Sequence, residues 1–146
     1  PASRTVQPYF DRPDYIDALA KSIEAKYAEL EKRPDILVCS YHGVPQRYLM
    51  EGDPYHCQCQ KTTRLLKERL GWKDTEIKTT FQSKFGPEEW LQPYTVETLE
   101  EINEEIFESF EEAGGEHFTY IPCLNDDEAH INALSNVIRE NLQGWI

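Results

Sequence analysis

His42 offers the most chemistry in this sequence. It follows a short apolar run, Asp35 to Tyr41 (DILVCSY), and precedes Gly43-Val44-Pro45. A neutral imidazole takes a proton or a metal ion near neutral pH. A glycine beside it lets a ligand approach the backbone closely. The plainer reading is a histidine hydrogen-bonded at a strand end. Glu97 and Glu101 lie four residues apart, so in a helix they share a face and could pass a cation inward or a proton outward. Each also has an ordinary account, a first-turn glutamate favoured by the helix dipole and a solvated side chain. Both belong to the stretch Glu97 to Glu112, which holds eight Glu and no Lys or Arg. Trp90 sits in a Gly- and Pro-containing stretch and reads as a pocket wall or as core packing. Ser83 and Lys84 follow a strand-like run and could approach an anionic group. Tyr48 reads as surface or core packing, and Asp53 as the fixing residue of a turn.

The cysteines are Cys39, Cys57, Cys59 and Cys123. Their spacing contains no C-x-x-C pair and fits no zinc framework or disulfide scaffold. Cys39 and Cys123 lie in apolar runs and are expected to be buried thiols. Cys57 and Cys59 beside His56 give a weak soft-metal signal. His56 and His130 are expected to be surface or helix residues, and His117 has no evident role.

Residues 1–12 read as a linker, and 13–146 as one α/β domain. Tyr15, Leu19, Ile23, Tyr27 and Leu30 recur at helical steps, predicting a helix from Pro13 to Arg33 capped by Asp11 and stopped by Pro34. Asp35 to Tyr41 has the length and composition of a buried parallel strand, and such strands carry chemistry at their carboxyl ends. Gly52-Asp53-Pro54 is a turn. A helix follows from Tyr55 to Leu70, carrying Cys59, Thr62, Leu65, Leu66 and Leu70, with Gly71 as its C-cap. Glu76 to Gln82 alternates like a strand. Thr95 is a candidate N-cap for a helix from Val96 to Ala113, closed by Gly114-Gly115. His117 to Ile121 reads as another strand. Asn125-Asp126 should cap a last helix whose stripe is Ile131, Leu134, Ile138 and Leu142. Strands alternating with helices predict an α/β fold with three layers, a mainly parallel sheet flanked by helices.

The chain has 146 residues and a formal charge of −12. That acidity disfavours nucleic acid as a partner. The 39% hydrophobic content fits a globular domain. No apolar run approaches the ~20 residues of a membrane span, and no signal-peptide pattern opens the chain. The expectation is a cytoplasmic protein, with shallow membrane contact left open.

Five ordered blocks resemble the ferrochelatase family. They are Ser40-Tyr41-His42-Gly43-Val44-Pro45, Gly52-Asp53-Pro54-Tyr55, Phe81-Gln82-Ser83-Lys84-Phe85-Gly86-Pro87 with Trp90-Leu91, Glu97-Thr98-Leu99-Glu100-Glu101-Ile102, and Pro122-Cys123-Leu124-Asn125. Together they cover nearly the whole chain from about Tyr9 onward, and match the C-terminal of the family's two similar α/β halves. The resemblance implies insertion of ferrous iron into protoporphyrin IX to make haem. It also implies that His42 and Glu97 are catalytic, that His42, Glu97 and Glu101 handle the metal, and that Trp90, with Tyr48 and Ser83, touches the porphyrin. Coproporphyrin and cobalt are alternatives within the same chemistry. No cofactor is implied beyond ferrous iron as substrate. Some members of the family hold an iron–sulfur cluster on cysteines near the C-terminus. This chain ends Leu142-Gln143-Gly144-Trp145-Ile146, so no cluster is expected. The implied partners are porphyrin, iron, an N-terminal half, and a peripheral contact with the inner face of the membrane.

The sequence departs from the family at one internal place. A further strand and a Pro-Gly-Phe loop normally separate the Trp-Leu-x-Pro-Tyr-Thr block from Glu-Thr-Leu, whereas here Tyr94-Thr95 runs almost directly into Glu97-Thr98. Either the chain is shortened or the sequence joins pieces of a longer protein. The competing expectation is therefore a half-domain that binds porphyrin or metal without turnover of its own. A plain α/β scaffold with vestigial matches is the third.

Overall fold

The computed structural model describes residues 3–110 and 118–145, and the side chains of all of these except 103–110. The elements are α1 (Pro13–Ala28), β1 (Leu37–His42), α2 (Gln46–Met50), α3 (Tyr55–Leu70), β2 (Ile77–Gln82), α4 (Thr95–Phe110) and α5 (Glu128–Leu142).

β1 and β2 pair in parallel, from Leu37 opposite Ile77 to His42 opposite Gln82. Successive side chains of a strand point to opposite faces. On one face, Ile77 packs with Leu66 of α3 and with Ala20 and Ile23 of α1. Phe81 joins Cys59 of α3 and Leu91 in a second buried cluster. On the other face, the Thr95 hydroxyl at the start of α4 lies 2.9 Å from Ser40 Oγ and 2.9 Å from Thr80 Oγ1. Thr98, one turn into α4, is almost fully buried. The sheet is thus sandwiched between α1 with α3 and the first turn of α4, the three-layer α/β arrangement that the alternation of elements implies.

Local signals explain most boundaries. Gly71 ends α3 in the left-handed conformation, φ 68°, which glycine adopts without penalty. The Asp53 carboxylate accepts the Tyr55 N–H at 2.8 Å, the expected turn bond. Several expectations need correction. α1 stops at Ala28 rather than Arg33, because 28–33 (AELEKR) holds little apolar surface to pack, and the Glu29 and Leu30 N–H groups turn back onto the Lys26 and Tyr27 carbonyls respectively. Asp11 does not cap α1. Its carboxylate accepts from Lys61 Nζ at 2.6 Å, and Arg12 occupies the cap position. α4 begins at Thr95 itself, and the expected closure at 111–115 lies outside the described residues.

Residues 118–121 of the expected third strand are not a strand, and His117 lies outside the described residues. Phe118 and Tyr120 are largely exposed. A strand exists only where a neighbour completes its hydrogen bonds, and neither β1 nor β2 pairs with these residues. Cys123 shares this fate and is exposed rather than buried. The N-cap of α5 is Asp127, whose carboxylate accepts from the Ala129 and His130 amides. Asn125, at φ 40°, forms the turn before it.

α5 packs on α1 through Ala133 and Val137. Arg12 bridges the two helices. It is ion-paired with Asp14 at 2.9 Å and with Glu140 at 2.6 Å. Tyr15 lies 6.0 Å from the His130 ring. Of the expected stripe of Ile131, Leu134, Ile138 and Leu142, Leu134 is half-buried and the other three are exposed.

Candidate functional site

The loops at the carboxyl end of the sheet gather most of the residues singled out by type. His42 is the last residue of β1 and its side chain is exposed. Its carbonyl accepts the Tyr55 hydroxyl at 2.9 Å, so the start of α3 fixes the strand end. Burial pushes the Tyr55 phenol up to about 12, which keeps it the donor. Tyr55 stands in one of the five blocks, yet nothing in its type signalled this task.

Gly43 continues the ladder, donating its N–H to the Gln82 carbonyl at 2.8 Å. A Cβ at this position would lie 2.8 Å from that oxygen and 3.3 Å from Trp90 Cε3. The close approach expected of Gly43 is therefore made by the protein's own backbone and indole, not left open for a ligand. Trp90 is held there by the antiparallel bridge with Pro45, in which the Leu91 N–H reaches the Val44 carbonyl at 3.0 Å and the Gln46 N–H reaches Glu89 at 2.9 Å. Among the described residues, Trp90 Nε1 is a buried side-chain donor without a partner. Such a group normally finds one, and this nitrogen is the most prominent unsatisfied donor beside the His42 loop.

β1 and α4 are tied by hydroxyls. Ser40 and His42, two apart, share one face of β1. Thr95, bonded to Ser40 and Thr80, precedes Glu97 by two residues. The first turn of α4 is thereby anchored on the face of β1 that bears His42. Glu97 and Glu101 are both exposed. Ser83, just beyond β2, is exposed with φ 69°, and the Lys84 ammonium lies 4.7 Å above the Tyr94 ring. Tyr48, on the short helix α2 that the sequence reading missed, is partly exposed, with the Arg47 guanidinium 4.8 Å from its ring centre.

The cysteine cluster does not assemble. Cys59 is buried while Cys57 is exposed, as residues two apart on a helix must differ. His56 stacks on Phe81 with ring centres 5.7 Å apart. Loss of hydration pushes the Cys39 thiol up to about 11, so it stays protonated. Among the described residues, no three His, Cys, Asp or Glu side chains converge as a cage for a resident metal ion. His42, Glu97 and Glu101 are exposed and belong to no such group.

The family model for ferrochelatase matches residues 1–97 and 95–142. The chain belongs to the ferrochelatase family. It is 60% identical to a ferrochelatase of Rhodobacter capsulatus, 51% to one of Allorhizobium ampelinum and 49% to one of Rhizobium etli, in each case over its whole length. It covers 49%, 50% and 50% of those proteins respectively, and so spans about half the length of the relatives it matches. Each alignment runs over 172 positions against 146 residues here, so the relatives carry extra residues. The two family matches meet at residues 95–97, where Tyr94-Thr95 runs almost directly into Glu97-Thr98. Among the described residues, no helix is long and apolar enough to cross a membrane.

Proposed function

We propose that this chain carries the metal-handling face of a ferrochelatase, acting in the insertion of ferrous iron into protoporphyrin IX to form haem. The observation that carries the reading is the anchoring of the Glu97 turn, through Thr95, on the face of β1 that ends in His42. Porphyrin metallation requires two pyrrole N–H protons to leave, the iron to shed water, and the macrocycle to bend. An exposed imidazole serves the first task as proton acceptor or the second as ligand. Glu97 and Glu101, one turn apart, supply oxygen ligands or a proton path. Trp90 supplies an aromatic wall, with Ser83 and Tyr48 at its margins. Iron enters as substrate, and no further cofactor is required.

His42, Glu97, Glu101, Ser83 and Tyr48 are all open to solvent. Ligand pockets bury most of their ligand. That openness, with the half-length match, favours a second reading in which the chain binds porphyrin without turning it over alone. Zinc insertion into protoporphyrin, followed by fluorescence, separates the two. Catalysis gives zinc porphyrin over many turnovers, and His42→Ala lowers the rate by about 10²-fold or more. A porphyrin spectral shift with no metalloporphyrin supports the binding reading. Undiminished turnover in His42→Ala removes that residue from the mechanism.

A further inference from the structure

A cavity of about 670 Å³ lies between α3 and β2, and neither His42 nor Glu97 lines it. Lys61, Arg64 and Lys67 recur at three-residue steps and line it from one side of α3. Lys78 lines it from β2, and Asp74 is the one carboxylate among its lining residues. In a chain of formal charge −12, four of the 15 Lys and Arg thus meet at one cavity, a local reversal of sign. Three of these cations hold carboxylates: Lys61 holds Asp11 at 2.6 Å, Arg64 holds Glu68 at 2.7 Å, and Lys67 holds Asp74. All three pairs reach solvent, where such pairs are weak. Lys78, the fourth, forms no ion pair among the described residues.

The strand edge adds a neutral donor. The Phe81 N–H points away from β1 and reaches the Pro93 carbonyl at 2.9 Å. Alternate residues of a paired strand direct their backbone groups to the same edge, so the Thr79 N–H points outward too. Thr79 lines the cavity, and no strand among the described residues pairs with β2 on that edge. A sheet edge of this kind forms an anion-binding concavity, and the cations around it set the charge. We propose that the cavity binds a pyrophosphate group, held by Lys78 and Arg64 with the Thr79 N–H, and by Lys61 and Lys67 in exchange for their carboxylates. A singly charged anion answers only one or two of these donors. Two linked phosphates bring enough charge and enough acceptor oxygens for all of them. The volume leaves room beyond the group itself, so free pyrophosphate and a nucleoside diphosphate share this chemistry. The proposal is independent of iron insertion at His42.

The test titrates the whole chain with inorganic pyrophosphate in buffer free of metal and phosphate, followed by calorimetry and by proton–nitrogen NMR. The expected result is a single saturable site, with the Thr79 and Lys78 amides among the most shifted and the Gly43 amide unmoved. Lys78→Gln combined with Arg64→Gln should weaken binding by about ten-fold or more, because both remove charge-assisted contacts. Lys21→Gln combined with Lys26→Gln removes the same charge from exposed pairs on α1 and should leave the affinity within about two-fold. Equal weakening by the α1 variant reveals a general charge effect and overturns the proposal. Absence of binding, an unmoved Thr79 amide in the unsubstituted chain, or sulfate binding as tightly as pyrophosphate overturns it as well. The amide shifts need no substitution, so a variant that fails to fold leaves the test intact. Adenosine diphosphate binding more tightly than pyrophosphate, with the same amides moving, supports the site and assigns the group to a nucleotide. The opposite order supports it for the free anion. None of these readouts involves metal or porphyrin, so a failed zinc assay leaves the result standing.

Discussion

Gly43→Ala tests how the candidate site is built. Gly43 does not need a left-handed backbone, so the substitution acts through space alone. The added carbon would sit 2.8 Å from the Gln82 carbonyl oxygen and 3.3 Å from Trp90 Cε3. The indole can give way by a few tenths of an ångström. The carbonyl cannot, because it accepts the Gly43 N–H at 2.8 Å and moving it stretches the last rung between the strands. Overpacking of this kind costs about 2 kcal/mol, which for a chain of this size lowers Tm by roughly 4–8 °C. Thermal unfolding followed by circular dichroism reads it directly. In a Trp90→Leu background the same substitution should still cost more than half as much, since the backbone clash remains. A Tm for Gly43→Ala within about 1 °C of the parent, or complete rescue by Trp90→Leu, refutes the reasoning that the rung and not the indole sets the limit.

Two further outcomes follow from polar contacts. Thr95→Val removes the hydroxyl that joins Ser40 and Thr80 and strands the buried Thr80 group on a longer 3.3 Å contact with the Cys39 carbonyl. It should cost about 1–2 kcal/mol in urea unfolding, with Thr95→Ser recovering most of it, and no loss would show that α4 is held by packing alone. The Arg12 guanidinium holds the carboxyls of Asp14 and Glu140 below their ordinary values of 3.8 and 4.5. A depressed folded-state value contributes stability that is present above the ordinary range and is lost as pH falls through the folded value. The α1–α5 contact should therefore loosen below about pH 4.5, and Arg12→Gln should flatten that acid dependence in a fluorescence titration. An unchanged slope would show these exposed pairs contribute little.

The elements easiest to read were those whose local signals and packing agree. β1, α3 and β2 fall where apolar runs, a Gly–Asp–Pro turn and a left-handed glycine put them. The failures share one physical cause, because periodicity reports a face but not what meets it. The α5 stripe is a genuine apolar face, yet α1 takes the neighbouring Ala133 and Val137 instead. Phe118 to Ile121 alternates suitably, but a strand is a property of pairs. The site was legible as types and order, His42 before Gly43 and Glu97 after Thr95. Its supports were not. The Tyr55 bond to the His42 carbonyl, the Thr80–Thr95–Ser40 hydroxyls and the seat of Trp90 on Gly43 depend on contacts between residues 13 or more positions apart, which carry no short-range pattern.

The two-stranded sheet has one more consequence. Among the described residues β1 and β2 have only each other, apart from the single bridge from Phe81 to Tyr94. β1 therefore presents an outer row of backbone donors and acceptors that no strand among the described residues uses, whereas on β2 the Phe81 N–H reaches the Pro93 carbonyl at 2.9 Å. The run Leu37–Tyr41 is uncharged and rich in strand-forming residues, the composition from which intermolecular sheets nucleate. Lys78 places one charge on β2, while β1 has none before His42. At high protein concentration the outer rim of β1 is where one molecule would recruit the next, and the first sign of ageing in a concentrated sample should be a gain of intermolecular strand.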